Sequence, residues 1–281
     1  MEAFIGYLNG IIWSSALIYL CLGTGLYFSL RTKFLQVRHF GHMIKIMTEG
    51  RSSDAGVSSF QALTMSLSGR VGTGNIAGVA TAITIGGPGA VFWMWTVAFL
   101  GASTAYIEAT LAQIYKEKDD NGNYRGGPAY YIEKSMGQKW YAWTFAVATV
   151  VAMGFCLPGI QANSIAAAME NAWTIPVEYT AGALAFGLLL IVVGGVKRIA
   201  HFAQVAVPLM AAGYIAISFA VVFANLELVP AVVKLIISSA FGLDAGYGAI
   251  IGMAVQWGVK RGVYSNEAGQ GSGPHPAAAA E

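Results

Sequence analysis

Long apolar segments make up most of this chain, and they restrict its fold more than any other sequence feature. A helix needs about 20 mostly apolar residues to cross the hydrocarbon of a bilayer. Seven segments are candidates, the last of them short: Asn9–Leu30, Ser59–Ile85, Pro88–Tyr115, Trp140–Trp173, Val177–Val196, Ile199–Asn225 and Tyr247–Val259. Only 11% of the 281 residues are charged, against about 25% in a soluble domain. The sequence therefore predicts an all-α membrane protein with about seven transmembrane helices, and Leu226–Phe241 as an amphipathic segment at the interface.

The lysines and arginines indicate which way these spans face. Fourteen of the 16 fall in four loops on one side of the membrane: 31–51, 116–139, 197–198 and 260–261. Arg70 falls inside span two, and only Lys234 lies on the opposite side. Because cytoplasmic loops carry the excess of Lys and Arg, we predict a multi-pass plasma-membrane protein with its N-terminus outside. The net charge of +2 is too small to indicate a nucleic-acid partner.

The second span is interrupted by the polar, glycine-rich stretch Ser66–Ile76. Glycine weakens a helix by up to about 1 kcal/mol, and broken backbone at membrane depth persists only where protein or a polar cavity satisfies it. We therefore expect two half-helices, whose freed N–H groups suit a carboxylate and whose freed C=O groups suit a small cation. Close packing through Gly74 and Gly78 is the alternative, but Arg70 in the same span favours a ligand site.

The buried charge of Arg70 is expected to pair with Glu108. At 1.5 Å per residue, Arg70 lies roughly 16 Å from the cytoplasmic start of span two, and Glu108 roughly 10 Å from the cytoplasmic end of span three. Two long side chains can bridge that difference, and pairing would relieve both buried charges. In the alternative, Arg70 reaches towards the cytoplasm or neutralises the end of another helix.

Two further polar clusters fall within spans four and seven. In span four, Pro158 frees a carbonyl, and Gln161 and Asn163 supply amides that both donate and accept; packing between helices is the alternative. In span seven, the cluster consists of Gly252, Gln256 and Gly258. Interrupted spans in matching positions of two halves are typical of a transporter's midplane site. Span two would begin one half, and span seven the other.

These residues resemble the alanine/glycine:cation symporter family, also called sodium:alanine symporters. Five motifs carry the resemblance over practically the whole chain: Arg70–Ala80, Gly86–Trp95, Gly126–Ile132, Gln161–Ser164 and Lys260–Gly269. The stretch Val71–Asn75 is also similar to the Val-Gly-x-Gly-Asn of neurotransmitter:sodium symporters, which have the LeuT-type architecture.

The resemblance implies an inner-membrane carrier of small neutral amino acids, alanine and glycine above all, driven by Na⁺ or H⁺ and without an organic cofactor. It implies a peripheral first helix and two inverted five-helix repeats. Residues 1–57 would be that helix with its loop, 58–225 the first repeat, and 226–281 the start of the second. Because the chain ends soon after span seven, we expect further C-terminal helices as partners. The alternative is an inactive or partner-dependent fragment.

Within this resemblance, the site residues take separate roles. The substrate would contact three residues of the broken span and three from spans four and seven: Gly72, Thr73, Gly74, Gln161, Gly252 and Gln256. The carbonyls of Ser68 and Val71 would bind the coupling cation, with Asn75 as a weaker candidate. Neither a catalytic residue nor a metal cluster is expected.

Other functions remain as alternatives. An intramembrane hydrolase using Ser66 or Ser68 would need a histidine at similar depth, and His201 falls near the cytoplasmic end of span six. A channel or scaffold would show no saturable uptake. A carrier for a larger neutral amino acid would share the fold and differ only in substrate.

Overall fold

The apolar segments form helices because only a helix satisfies its own backbone in hydrocarbon. The computed structural model describes residues 2–48, 56–120, 122–242 and 248–281. In these ranges the α-helices are α1 Glu2–Ile12, α2 Ser15–Arg31, α3 Leu35–Arg38, α4 Phe40–Thr48, α5 Ser59–Ser68, α6 Thr73–Gly86, α7 Gly89–Tyr115, α8 Pro128–Met136, α9 Lys139–Val151, α10 Leu157–Trp173, α11 Val177–Val192, α12 Gly195–Ala224, α13 Val229–Phe241, α14 Gly248–Asn266 and α15 Pro274–Ala279. A two-residue hairpin pairs β1 Glu117–Lys118 with β2 Tyr124–Arg125. Two predictions lie outside the described residues: Arg51 as a loop cation and Tyr247 as the start of span seven.

Four helical segments in the described ranges are long and apolar enough to cross a membrane: Ala3–Arg31, Gly89–Tyr115, Lys139–Trp173 and Gly195–Ala224. Val177–Val192 is a shorter apolar helix. These helices confirm the all-α membrane class, whereas the number seven and the repeat boundaries at residues 57 and 225 stay predictions. The predicted interfacial segment consists of a 3₁₀ turn at Leu226–Leu228 followed by α13.

Span four is longer than one crossing requires, so its sequence is compatible either with a strongly tilted helix or with a break at Pro158. The helix does not break at Pro158, which lies in the first turn of α10. A π-helical turn at Ala152–Cys156 comes just before it. A proline in the first helical turn loses no hydrogen bond there, and the wider π turn accommodates the change. The long segment is therefore almost continuous.

Span seven is longer than the sequence predicts, and this corrects the placement of its two cations. Helix α14 continues to Asn266, so Lys260 and Arg261 lie inside the helix and not in a loop after it. The charged groups of Lys260 and Arg261 lie 5.0 and 5.5 Å from the Trp257 ring. Such cation–π contacts stabilise charged side chains on an otherwise apolar helix.

The described chain divides into two compact units. The first contains Met1–Ile46, Gly74–Glu108 and Ala212–Gln270, and the second contains Met47–Thr73, Ala109–Ala211 and Gly271–Glu281. The boundary between Thr73 and Gly74 falls at the start of α6, in the stretch that the sequence predicts to be broken.

Three helices of the first unit run parallel to one another. Ile18 of α2 is buried with Val97 of α7 and with Val259 and Val263 of α14. Further along α2 and α7, the hydroxyls of Ser29 and Ser103 hydrogen-bond at 3.0 Å. A Cβ added at Gly258 of α14 would lie 2.5 Å from the Cβ of Trp93, and one at Gly262 would meet Val97. The contacts thus advance in the same direction along α2 and α7 and along α7 and α14, so the three helices are parallel.

Helix α6 runs antiparallel to α14 in the same unit. A Cβ added at Gly74 would lie 3.0 Å from the Tyr264 ring, and one at Gly86 would lie 2.8 Å from the Cβ of Trp257. The start of α6 therefore lies beside the end of α14. Glycine at both positions lets the two helices approach closely.

The second unit fixes the C-terminal segment 271–281 against α5 and α7. Val57 forms a parallel bridge with Ala280, and Ala62 is buried in the same cluster. Lys116 Nζ donates to the Ala280 carbonyl at 2.6 Å. Burial lowers the pKa of this lysine from its ordinary value. At Gly127, where φ is +126°, a Cβ would lie 2.5 Å from the ring of His275.

The hairpin after α7 is joined to α8 by an ion pair. Lys134 Nζ lies 2.8 Å from Glu117 Oε1. This ammonium holds the pKa of the Glu117 carboxyl below its ordinary value, first through the hydrogen bond and then through its charge.

Candidate functional site

Residues 69–72 separate two helices in the stretch where the sequence predicts the broken span. Helix α5 ends at Ser68, and α6 begins at Thr73. The N–H groups of Arg70 and Val71 both donate to the Leu67 carbonyl at 2.9 Å. Among the described residues, the Gly72 N–H has no hydrogen-bond acceptor. The turn therefore leaves a backbone donor at the start of the second helix.

Gln161 lies against this donor within the second unit. Its Oε1 accepts a hydrogen bond of 3.2 Å from the Thr73 N–H. A Cβ added at Gly72 would lie 3.1 Å from both Nε2 and Oε1 of Gln161. The structure thus brings together three of the predicted substrate residues. Two backbone N–H groups and an amide NH₂ form a group of donors of the kind that binds a carboxylate.

The predicted cation residues of the second unit supply backbone oxygens. No described N–H donates to the carbonyls of Ser68 and Val71. The Ser68 hydroxyl instead donates to the Met65 carbonyl at 2.6 Å, so this side chain turns back onto α5. The two carbonyls keep their lone pairs for a hard cation, which prefers oxygen ligands.

Asn75 lies in the first unit, in contact with residues that the sequence analysis did not assign to the site. Its Oδ1 accepts a short hydrogen bond from the Ser265 hydroxyl. Its backbone carbonyl accepts one of 3.3 Å from the Tyr214 hydroxyl. The adjacent Gly74 is buried against the ring of Tyr264, whose own hydroxyl is buried without a partner among the described residues. Ser265 lies within the motif Lys260–Gly269, and this motif is the sequence signal that could have drawn attention to Ser265.

The structure does not bring Gly252 and Gln256 to Gly74. Gln256 is exposed and precedes Tyr264 by eight residues, about 12 Å along a helix. A Cβ added at Gly252 would meet nothing within 4 Å. Because α14 runs on to Asn266 antiparallel to α6, residues near its C-terminal end reach Gly74, and these two lie towards the other end.

A second interruption, between α14 and α15, was missed by the sequence analysis. The connecting segment 267–273 contains three residues with a left-handed backbone: Glu267, Gly269 and Gly271, with φ of +56°, +79° and +81°. In the first unit, Glu108 Oε2 accepts a hydrogen bond of 3.0 Å from the Gly269 N–H. The signal that could have predicted this break is the alternation of glycine from 269 to 273, followed by Pro274.

Arg70 contacts the part of this connection that belongs to the second unit. A Cβ added at Gly273 would lie 3.3 Å from Arg70 Nη2, and Arg70 Nη1 donates to the Ser66 hydroxyl at 2.8 Å. Arg70 and Glu108 belong to different units, so their pairing stays a prediction. The Ser66 contact also occupies one of the hydroxyls that a hydrolase would need.

The apolar, membrane-length helices of the described residues define a multi-pass helical membrane protein. The chain belongs to the sodium:alanine symporter family, whose sequence profile matches residues 1–281. This is a family of transporters and not of enzymes.

Three curated relatives, from two organisms, are similar to the chain. The putative sodium/proton-dependent alanine carrier protein YrbD of Bacillus subtilis is 60% identical over 281 residues, which are 100% of this chain and 58% of that protein. The probable sodium/glutamine symporter GlnT of the same organism is 45% identical over 288 residues, with 100% and 59% covered. The sodium/alanine symporter AgcS of Methanococcus maripaludis is 40% identical over 284 residues, with 99% and 63% covered. The chain therefore spans less than two thirds of the length of each.

Proposed function

We propose that the protein carrying this chain is a symporter of small neutral amino acids, with alanine as its preferred substrate and Na⁺ or H⁺ as its coupling ion. The names of YrbD and AgcS support alanine and the two cations. The single observation that carries the proposal is the group of donors at Gly72, Thr73 and Gln161, which suits the carboxylate that every amino acid presents.

The carboxylate is held at the start of α6. There the free Gly72 N–H and the partial positive charge of the helix N-terminus both favour an anion. Gln161 Oε1 leaves the Thr73 N–H when substrate arrives, and its NH₂ group donates to the substrate. The absence of a side chain at Gly72 keeps the backbone accessible. Gly252 and Gln256 are not needed for this contact.

The coupling cation is held by oxygen atoms. In the second unit, the carbonyls of Ser68 and Val71 provide two of them. In the first unit, Asn75 remains the weaker candidate, because its Oδ1 already accepts a hydrogen bond from the Ser265 hydroxyl.

We further infer that the chain crosses the membrane seven times with its N-terminus outside, as the first part of a LeuT-type architecture. The directions of the helices in the first unit support this topology. Spans one, three and seven correspond to α2, α7 and α14, which are parallel, whereas α6 of span two is antiparallel to α14. Because α7 and α14 are parallel, the chain between them must cross the membrane an odd number of times. The three predicted spans four, five and six meet this requirement.

Glutamine is the second candidate substrate, because GlnT is 45% identical and covers the whole of this chain. Both substrates present the same carboxylate, so the donors at Gly72 do not distinguish them. The distinction depends on the space around the side chain of the substrate.

Transport by the protein expressed from its whole reading frame tests the proposal. In proteoliposomes we expect saturable uptake of labelled alanine that rises with an inward gradient of Na⁺ or H⁺. Competition by unlabelled glycine, serine, leucine and glutamine ranks the substrates. Uptake that does not saturate would indicate a channel, and the absence of uptake under either gradient would overturn the symport proposal.

A further inference from the structure

A cleft in the first unit lies at the C-terminal end of α2 and is not used by the transport proposal. Its volume is about 720 Å³, and its lining residues are Thr32, Leu35, His39, His42, Met43, Ile46 and Tyr106. Small-molecule sites have volumes of about 300–1,000 Å³. The cleft is therefore large enough to hold a ligand of that size.

A sharp turn of the chain shapes this cleft. Lys33 and Phe34 have φ of +54° and +52°, a left-handed conformation that ends α2 and redirects the chain. The Phe34 ring stacks on Phe99 at 6.5 Å, and Gln36 Nε2 donates to the Ser29 hydroxyl at 3.0 Å. Helix α3 is thus attached to α2 and α7, and α3 and α4 together supply most of the lining.

Helix α4 presents partly exposed apolar side chains. Phe40, Ile44 and Met47 recur at helical spacing, so they lie on one stripe. Their exposed fractions are 62%, 48% and 48%. Met43 and Ile46 lie beside this stripe, on the side that lines the cleft. Such a helix lies in the plane of a membrane interface with its apolar stripe in the lipid.

The charge of the same segment is entirely positive. Residues 31–48 contain four Lys or Arg residues and two histidines but no Asp or Glu. The side chains of Lys33 and Arg38 are exposed beside the cleft residues Thr32 and His39. In the proposed topology this segment faces the cytoplasmic leaflet, whose anionic lipids attract basic residues close to the membrane.

We propose that this cleft binds an anionic phospholipid. Its phosphate lies at the edge of the cleft near Lys33 and Arg38, which are the chain neighbours of the lining residues Thr32 and His39, and its acyl chain lies along Leu35, Met43 and Ile46. An anionic phospholipid matches both features of the cleft. A free anion would leave the apolar wall exposed, and in a zwitterionic lipid the positive headgroup offsets the phosphate charge that attracts the cations. The cleft shares no residue with the proposed substrate site at Gly72.

Lipid binding to the purified protein, measured by native mass spectrometry, tests this site. We expect phosphatidylglycerol to bind more tightly than phosphatidylcholine. A basic residue at a membrane surface changes the affinity for anionic lipid about five-fold. Lys33→Gln with Arg38→Gln should therefore lower the affinity for phosphatidylglycerol about 25-fold and that for phosphatidylcholine clearly less. Ile46→Ser should weaken both lipids.

The matched control is Lys139→Gln, which removes an equally basic, exposed residue of the second unit, outside the segment 31–48. It should leave the affinity for phosphatidylglycerol unchanged. Equal affinity for the two lipids, or an unchanged affinity in the double variant, would overturn the proposal. Displacement of phosphatidylglycerol by inorganic phosphate at equal concentration would also overturn it, because it would show an anion site without a lipid. Circular dichroism confirms that each variant is folded.

Discussion

Replacing Gly72 by alanine should weaken alanine binding, because the new Cβ would meet Gln161. The Cβ would lie 3.1 Å from Nε2 and Oε1 of that amide, closer than ordinary van der Waals contact, so Gln161 must move by a few tenths of an ångström. Its bond to the Thr73 N–H is already 3.2 Å long. The same movement carries Gln161 Nε2 away from the position in which it would donate to the substrate carboxylate, and a side-chain hydrogen bond is lost within a few tenths of an ångström.

The expected loss is that of one hydrogen bond to a charged group, about 1.5–3 kcal/mol. It corresponds to a rise of about ten- to a hundred-fold in the alanine concentration for half-maximal uptake. The matched control is Gly159→Ala in α10, where an added Cβ meets nothing within 4 Å, and its uptake should be unchanged.

A double-mutant cycle identifies the cause of this loss. If Gly72→Ala acts through Gln161, then in a Gln161→Ala background it should add little to the loss already present. The reasoning is refuted if Gly72→Ala transports alanine with an unchanged half-maximal concentration. It is also refuted if the substitution costs as much in the absence of Gln161 as in its presence.

Two further predictions concern packing and topology. Gly127→Ala should lower the thermal stability of the purified protein by several degrees, because Gly127 combines a positive φ with a close approach of the His275 ring. The control Gly137→Ala should cost clearly less, since Gly137 has a positive φ but an added Cβ there meets no neighbour within 4 Å. Equal losses in the two variants would contradict the packing argument. In intact cells whose native cysteines are replaced, an impermeant thiol reagent should label cysteine at Glu2 but not at Gly122, and the reverse pattern would contradict the topology.

Glycines and polar residues within apolar spans made part of the site predictable from sequence alone. Residues 66–76 combine glycines, hydroxyls and an arginine in an apolar span, and helix α5 ends within this stretch, at Ser68. Gln161 was selected as a polar residue in an apolar span, and its amide lies beside Gly72. In both cases a local departure from apolar composition was sufficient.

The end of span seven could not be predicted in the same way. Lys260 and Arg261 read as a cytoplasmic loop, because the sequence does not reveal that their charges lie over the Trp257 ring. With the helix ended too early, Ser265 was left outside the membrane-spanning part. Its contact with Asn75 depends on the antiparallel packing of α6 and α14, which is a tertiary property. The break at 267–273 was missed for the same reason.

The most direct test of the central claim is a structure of the protein determined with alanine and Na⁺ bound. We predict that a carboxylate oxygen of the alanine lies within about 3.2 Å of the Gly72 or Thr73 backbone nitrogen, a normal hydrogen-bond distance, with Gln161 Nε2 as a further donor. An alanine carboxylate held elsewhere, with the Gln161 bond to Thr73 intact, would contradict the account.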